Sequence, residues 1–122
     1  DTRDVKTAGL ATRFCHHFYF LAHAVDGKQK GEITQFRTED SHPLCIAEDL
    51  QFEKLIQNRK DCIKIFIPTK CLHGYDPSNL PRLGFTYKIH RKNGAAQHFS
   101  VSSKDFEISQ QPSLWSTLRL SK

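Results

Sequence analysis

Alternation at period two dominates this chain. Over residues 13–22, Phe14, His16, Phe18 and Phe20 take one parity and Cys15, His17, Tyr19 and Leu21 the other, which predicts a strand with both faces at least partly covered. Asp26-Gly27 supplies a turn, after which residues 32–37 resume an extended run with branched Ile33 and Thr34. The polar stretch 38–43 reads as loop. Over 47–60 two periods compete: Asp49 can cap a helix carrying Phe52, Leu55, Ile56 and Arg59 on one stripe, whereas Leu50 and Phe52 also suit a strand, the reading its β-rich surroundings favour. Residues 62–67 are a clearer strand, with Ile63, Ile65 and Ile67 on one face, closed by Pro68, which has no N–H for a ladder. Thr69 onward reads as turns, with one helical turn at 70–73.

One hairpin follows, and its register can be argued from its faces. Leu83, Phe85, Tyr87 and Ile89 alternate with Gly84, Thr86, Lys88 and His90, and Phe99 and Val101 alternate on the return. A two-residue Asn93-Gly94 turn would set Phe99 opposite Lys88 and mix the faces. A three-residue loop, Lys92-Asn93-Gly94, pairs Tyr87 with Phe99 and Phe85 with Val101 and places Gly94 at the left-handed position. A last strand over 114–120 carries the only Trp, Trp115. The expectation is an all-β antiparallel sandwich in a single unit, with little helix.

With 122 residues, 38% hydrophobic and 25% charged, the chain can build one core and lies outside the disordered class. No run approaches the ~20 apolar residues of a membrane span. The net charge of +5 suits an acidic partner without naming one. The chain opens on Asp1 and contains no Met, which predicts that an upstream segment belongs to the protein. Cys15, Cys45, Cys62 and Cys71 have neither C-x-x-C nor structural-zinc spacing, and free, mostly buried thiols are the favoured reading over two disulfides.

Four landmarks occur in order: Asp1-Thr2-Arg3-Asp4, then Ile63-Lys64-Ile65-Phe66-Ile67-Pro68 with Leu72 four residues on, then Leu83-Gly84-Phe85-Thr86-Tyr87, then Leu114-Trp115-Ser116-Thr117-Leu118. Together they resemble the family-nine carbohydrate-binding modules and the related DOMON-type β-sandwiches across almost the entire chain. The resemblance implies the C-terminal part of such a sandwich, its first strands lying elsewhere, so that a protein partner, a removed segment or a second copy covers open sheet edges. It also implies a glycan ligand and a secreted protein, whereas free thiols suit the cytoplasm. The family's sugar clamp uses paired Trp residues, and Trp115 matches the closing structural Trp instead.

Candidate chemistry is scattered. On a strand, Cys15 and His17 share one face and His16 takes the other, so at most two of the three can bind one ion, and His23, His42 or another side chain would have to complete a site. A Met/His haem site is excluded for want of Met, and a His/His site is not. Cys71-Leu72-His73 can be drawn as a thiol beside a base, and Asp40 with His42 as an acid/base pair, but neither comes with an oxyanion site. Lys88, His90, Arg91 and Lys92, with Lys28 and Lys30, form a basic stripe that could neutralise phosphates, without aromatics interleaved for base stacking. Phe14, Phe18 and Phe20 fit a sandwich core better than an aromatic platform. The reading is a non-catalytic ligand-binding or protein-interaction module with no catalytic residue, no metal site and no cofactor designated. Arg13, His16, His17, Lys88 and His90 are the residues assigned to ligand contact. The alternatives are a nucleic-acid binder through the hairpin's basic face and a small His/Cys enzyme or metal or haem protein.

Overall fold

The computed structural model describes residues 1–3, 13–33, 42–57, 60–91, 94, 96–99 and 115–121. Among the described residues eight strands run β1 (His17–Val25), β2 (Lys28–Ile33), β3 (Gln51–Gln57), β4 (Lys60–Phe66), β5 (Arg82–Phe85), β6 (Lys88–His90), β7 (Ala96–His98) and β8 (Ser116–Arg119). They pair antiparallel as β1–β2, β3–β4, β5–β8 and β6–β7. The fold is all-β, and the helical content among the described residues is two 3₁₀ turns, Ala47–Asp49 and Thr69–Cys71. None of these is long and apolar enough to cross a membrane.

The first hairpin turns where Asp26-Gly27 predicts. Both residues have positive φ, 51° and 74°, between the paired Val25 and Lys28, as a two-residue type I′ turn requires. The strand begins at His17 rather than Arg13, because the segment ahead of it is tied elsewhere: the Thr2 backbone N–H donates to the Phe14 carbonyl at 3.0 Å. Asp1 in turn exchanges backbone hydrogen bonds with Gly84 of β5, so residues 1–2 bridge the entry to β1 and the β5–β8 pair.

Segment 47–60 resolves in favour of the strand. Asp49 lies in a single 3₁₀ turn, and Leu50, fully buried, leads into β3, whose whole length pairs with β4 from Gln51–Phe66 to Gln57–Lys60. Phe20 of β1 stacks on Phe52 of β3 at 5.6 Å and the Lys30 ammonium donates to the Leu50 carbonyl, which joins the two hairpins. On β4, Ile63 and Ile65 are each 46% exposed.

The later hairpin keeps the expected register, with Lys88 opposite His98 and His90 opposite Ala96, and the Phe99 N–H reaches the Tyr87 carbonyl. The described ladder ends at His90–Ala96, and the Lys92-Asn93-Gly94 loop lies outside the described residues except for Gly94, which has positive φ. One detail differs. The extended run through Leu83 and Ile89 is divided, β5 pairing with β8 and β6 with β7. The Phe85–Val101 pairing lies outside the described residues. Phe85, Tyr87 and Phe99 nevertheless form one aromatic group, with centroids 5.3–6.2 Å apart.

Among the described residues the buried ones are partly polar: Cys15, Leu50, Cys71 and Trp115 beside Asp1, Thr2, Glu32 and His42. All four cysteines are free, two of them buried and Cys62 exposed.

Candidate functional site

The polar part of this interior converges on Glu32. In the β1–β2 ladder Glu32 faces Phe18, and paired residues project from the same face of a sheet. His16 stands two residues before Phe18 and stacks on its ring at 5.9 Å, so its imidazole comes up beside the same carboxylate. His16 Nδ1 lies 2.8 Å from Glu32 Oε2. His42 arrives from the segment ahead of the first 3₁₀ turn and sets Nε2 3.0 Å from the same oxygen. The three side chains are only 3%, 1% and 2% exposed.

Each outer atom of the cluster is also held. Glu32 Oε1 accepts the Cys45 backbone N–H at 3.0 Å. His42 Nδ1 lies 2.7 Å from the Arg13 carbonyl, and His16 Nε2 lies 3.4 Å from the His73 carbonyl, a weaker contact. The His73 carbonyl is fixed by the Thr2 hydroxyl, which donates to it at 2.7 Å. The imidazoles of His16 and His42 have centroids 4.2 Å apart, and His73 stacks on His42 at 5.9 Å. Burial by itself would raise the Glu32 carboxyl; the hydrogen bonds from His16, His42 and the Cys45 N–H outweigh it and hold Glu32 below its ordinary value. For Cys45, burial comes first, followed by its hydrogen bond with the Cys71 thiol, and the two push it up to about 12. Cys45 is therefore a neutral thiol.

The residues assigned to ligand contact are dispersed. His16 is inside the cluster. Arg13 serves it through its backbone carbonyl, while its guanidinium lies 4.9 Å above the Phe14 ring. His17 points the other way, edge-on to Trp115 at 5.7 Å. Its Nε2 is buried without a partner among the described residues, and burial is the main force holding the ring down to about 4, in its neutral form. Lys88 and His90 are exposed on β6, in a different sheet. Phe18 and Phe20 are half-buried and pack on His16 and Phe52. The Cys71–His73 pair is not assembled as thiol and base: the Cys71 thiol is hydrogen-bonded to the Cys45 thiol, and the His73 ring lies against Phe14 and His42. Asp40 lies outside the described residues.

Sequence reasoning identified His16 and named His42 as a residue able to complete a site. It missed Glu32, which in the sequence is one of thirteen acidic residues and stands in no motif. The signal that would have found it is strand pairing, and that depends on a register the turn alone does not reveal.

A second feature faces solvent. A shallow groove of about 630 Å³ runs between the β1–β2 hairpin and residues 44–48, lined by Tyr19, Gln29, Lys30, Leu44 and Glu48 and reaching Glu32 and Cys45 of the cluster. Tyr19 lies across its partner Gly31, where a Cβ would come within 2.8 Å of the phenol oxygen, so the glycine makes room for the ring. An aromatic face, an amide, an ammonium and a carboxylate thus border one open concavity. No family model matches this chain, and neither a curated protein nor a solved structure matches it.

Proposed function

We propose that the chain is a non-catalytic ligand-binding module that takes a glycan in the groove bordered by Tyr19. The observation that carries this reading is the open groove beside the first hairpin, where an aromatic ring and several hydrogen-bonding groups face one concavity. The convergent titratable cluster is buried, with side chains at most 3% exposed, and of its members Glu32 borders the groove. The open groove holds one aromatic ring and the hydrogen-bonding groups of Gln29, Lys30 and Glu48. That combination suits a sugar, whose C–H face packs on an aromatic ring while its hydroxyls both donate and accept. The glycan class comes from the resemblance to family-nine carbohydrate-binding and DOMON-type modules. The eight antiparallel strands, with Trp115 buried just ahead of β8, support the sandwich part of that reading.

Affinity electrophoresis through gels containing soluble β-glucan, xylan or galactomannan tests it. The expected result is retardation by at least one polymer, abolished by Tyr19→Ala with an unchanged circular dichroism spectrum. Free migration through all three, or retardation that survives Tyr19→Ala, overturns the proposal.

A further inference from the structure

Both histidines of the buried cluster turn one nitrogen to a backbone carbonyl and the other to a single carboxylate oxygen. A carbonyl only accepts, so the Arg13 carbonyl requires a proton on His42 Nδ1, and the His73 carbonyl favours one on His16 Nε2. With neutral rings, the remaining atoms, His16 Nδ1 and His42 Nε2, then direct lone pairs at Glu32 Oε2, which carries negative charge of its own. These three atoms lie within 4.8 Å of one another, and one cation among them would satisfy all three. Protons satisfy them as well when His16 donates from Nδ1, since its 3.4 Å contact to the His73 carbonyl does not fix the proton on Nε2. A single metal ion satisfies all three atoms with both rings neutral.

We infer that His16 Nδ1, Glu32 Oε2 and His42 Nε2 form a binding site for one divalent transition-metal ion of the zinc class. Two imidazoles and a carboxylate suit zinc, cobalt, nickel or copper, whereas calcium and magnesium prefer all-oxygen sets. Metal–ligand bonds of ~2.0–2.2 Å put neighbouring tetrahedral ligands roughly 3.4 Å apart, so the 2.8 and 3.0 Å contacts need open by only a few tenths of an ångström. Outer groups of the kind that orient metal ligands are in place: backbone carbonyls behind both rings and the Cys45 N–H on the second carboxylate oxygen. The ligands come from the lead into β1, from β2 and from the segment after it, so the ion ties together parts of the chain that local structure does not connect. Three protein ligands leave the fourth tetrahedral position to a water or another donor, and the inference does not depend on what the groove binds.

Titration of the whole chain, stripped with chelator, with Zn²⁺ alone and then Co²⁺ tests this. One equivalent of either should bind, Co²⁺ should develop visible d–d absorption, and Zn²⁺ but not Mg²⁺ should raise Tm. Glu32→Gln and His42→Gln should weaken binding at least tenfold, while His90→Ala on the surface leaves it unchanged. ¹¹³Cd NMR of the wild-type protein gives a readout that needs no variant, with a resonance in the nitrogen and oxygen range expected. Failure of the folded wild type to take up an equivalent at micromolar Zn²⁺ overturns the inference. So does a thiolate-range ¹¹³Cd resonance, or binding that survives Glu32→Gln or is lost in His90→Ala.

Discussion

Replacing Gly74 by alanine should destabilise the protein more than the same change at Gly27, and the difference isolates packing from backbone preference. Both glycines have φ near +75°, where an L-residue costs ~1–2 kcal/mol. At Gly27 a new Cβ meets nothing within 4 Å, so Gly27→Ala should cost only that amount. At Gly74 the Cβ would lie 2.6 Å from Phe14 Cδ1 and 2.9 Å from the Thr2 hydroxyl oxygen. Neither neighbour yields freely. The Phe14 ring lies between the Arg13 guanidinium and His73, and the Thr2 hydroxyl is bonded to the His73 carbonyl. Overpacking of this kind adds ~1–3 kcal/mol, for a total of ~2–5 kcal/mol at Gly74. Urea unfolding followed by the fluorescence of Trp115, the single Trp, measures both; with a slope of ~1–3 kcal/mol per molar, the two midpoints should differ by about 1 M. In a double-mutant cycle, Phe14→Leu should recover part of the Gly74→Ala loss. Coincident midpoints for Gly74→Ala and Gly27→Ala, or an additive cycle, would refute the packing around residue 74.

Leu50 is fully buried where the two first hairpins meet, so Leu50→Ala should cost ~2–5 kcal/mol in the same urea assay, and a loss below ~1 kcal/mol would show that the site is not closed. Alkylation at pH 8 followed by mass spectrometry should label exposed Cys62 first, Cys45 slowly because its thiol is pushed up to about 12, and buried Cys15 and Cys71 only on unfolding. Labelling of Cys15 ahead of Cys62 would contradict the burial pattern. Lys88→Ala and His90→Ala, at exposed positions on β6, should each shift stability by no more than ~0.5 kcal/mol, and a larger loss would place those side chains in contacts they do not make.

The glutamate at the centre of the cluster shows why local pattern could not reveal the site. Carried without interruption from the Asp26-Gly27 turn, the β1–β2 ladder would set Glu32 opposite Leu21, on the face of Cys15 and His17. An irregularity between Phe20 and Val25 shifts the register and sets Glu32 opposite Phe18, on the face of His16. Because side chains alternate faces residue by residue, an odd shift moves a strand's whole set of side chains to the other side of its partner. Nothing in the sequence of residues 21–29 marks the size of that shift.

What the sequence determined by itself is everything set by near neighbours along the chain. Period-two alternation specified an all-β protein, Asp26-Gly27 specified the first turn, and the requirement that Tyr87 and Phe99 share a face specified the later register. Tertiary structure decided what depends on distant segments meeting: the start of β1, displaced by the bond from Thr2 to Phe14, and the division of the late strands between β8 and β7. It also decided the convergence of His16, Glu32 and His42. The three stand far apart in sequence, and only pairing, a bulge and a returning segment aim their polar atoms at one point.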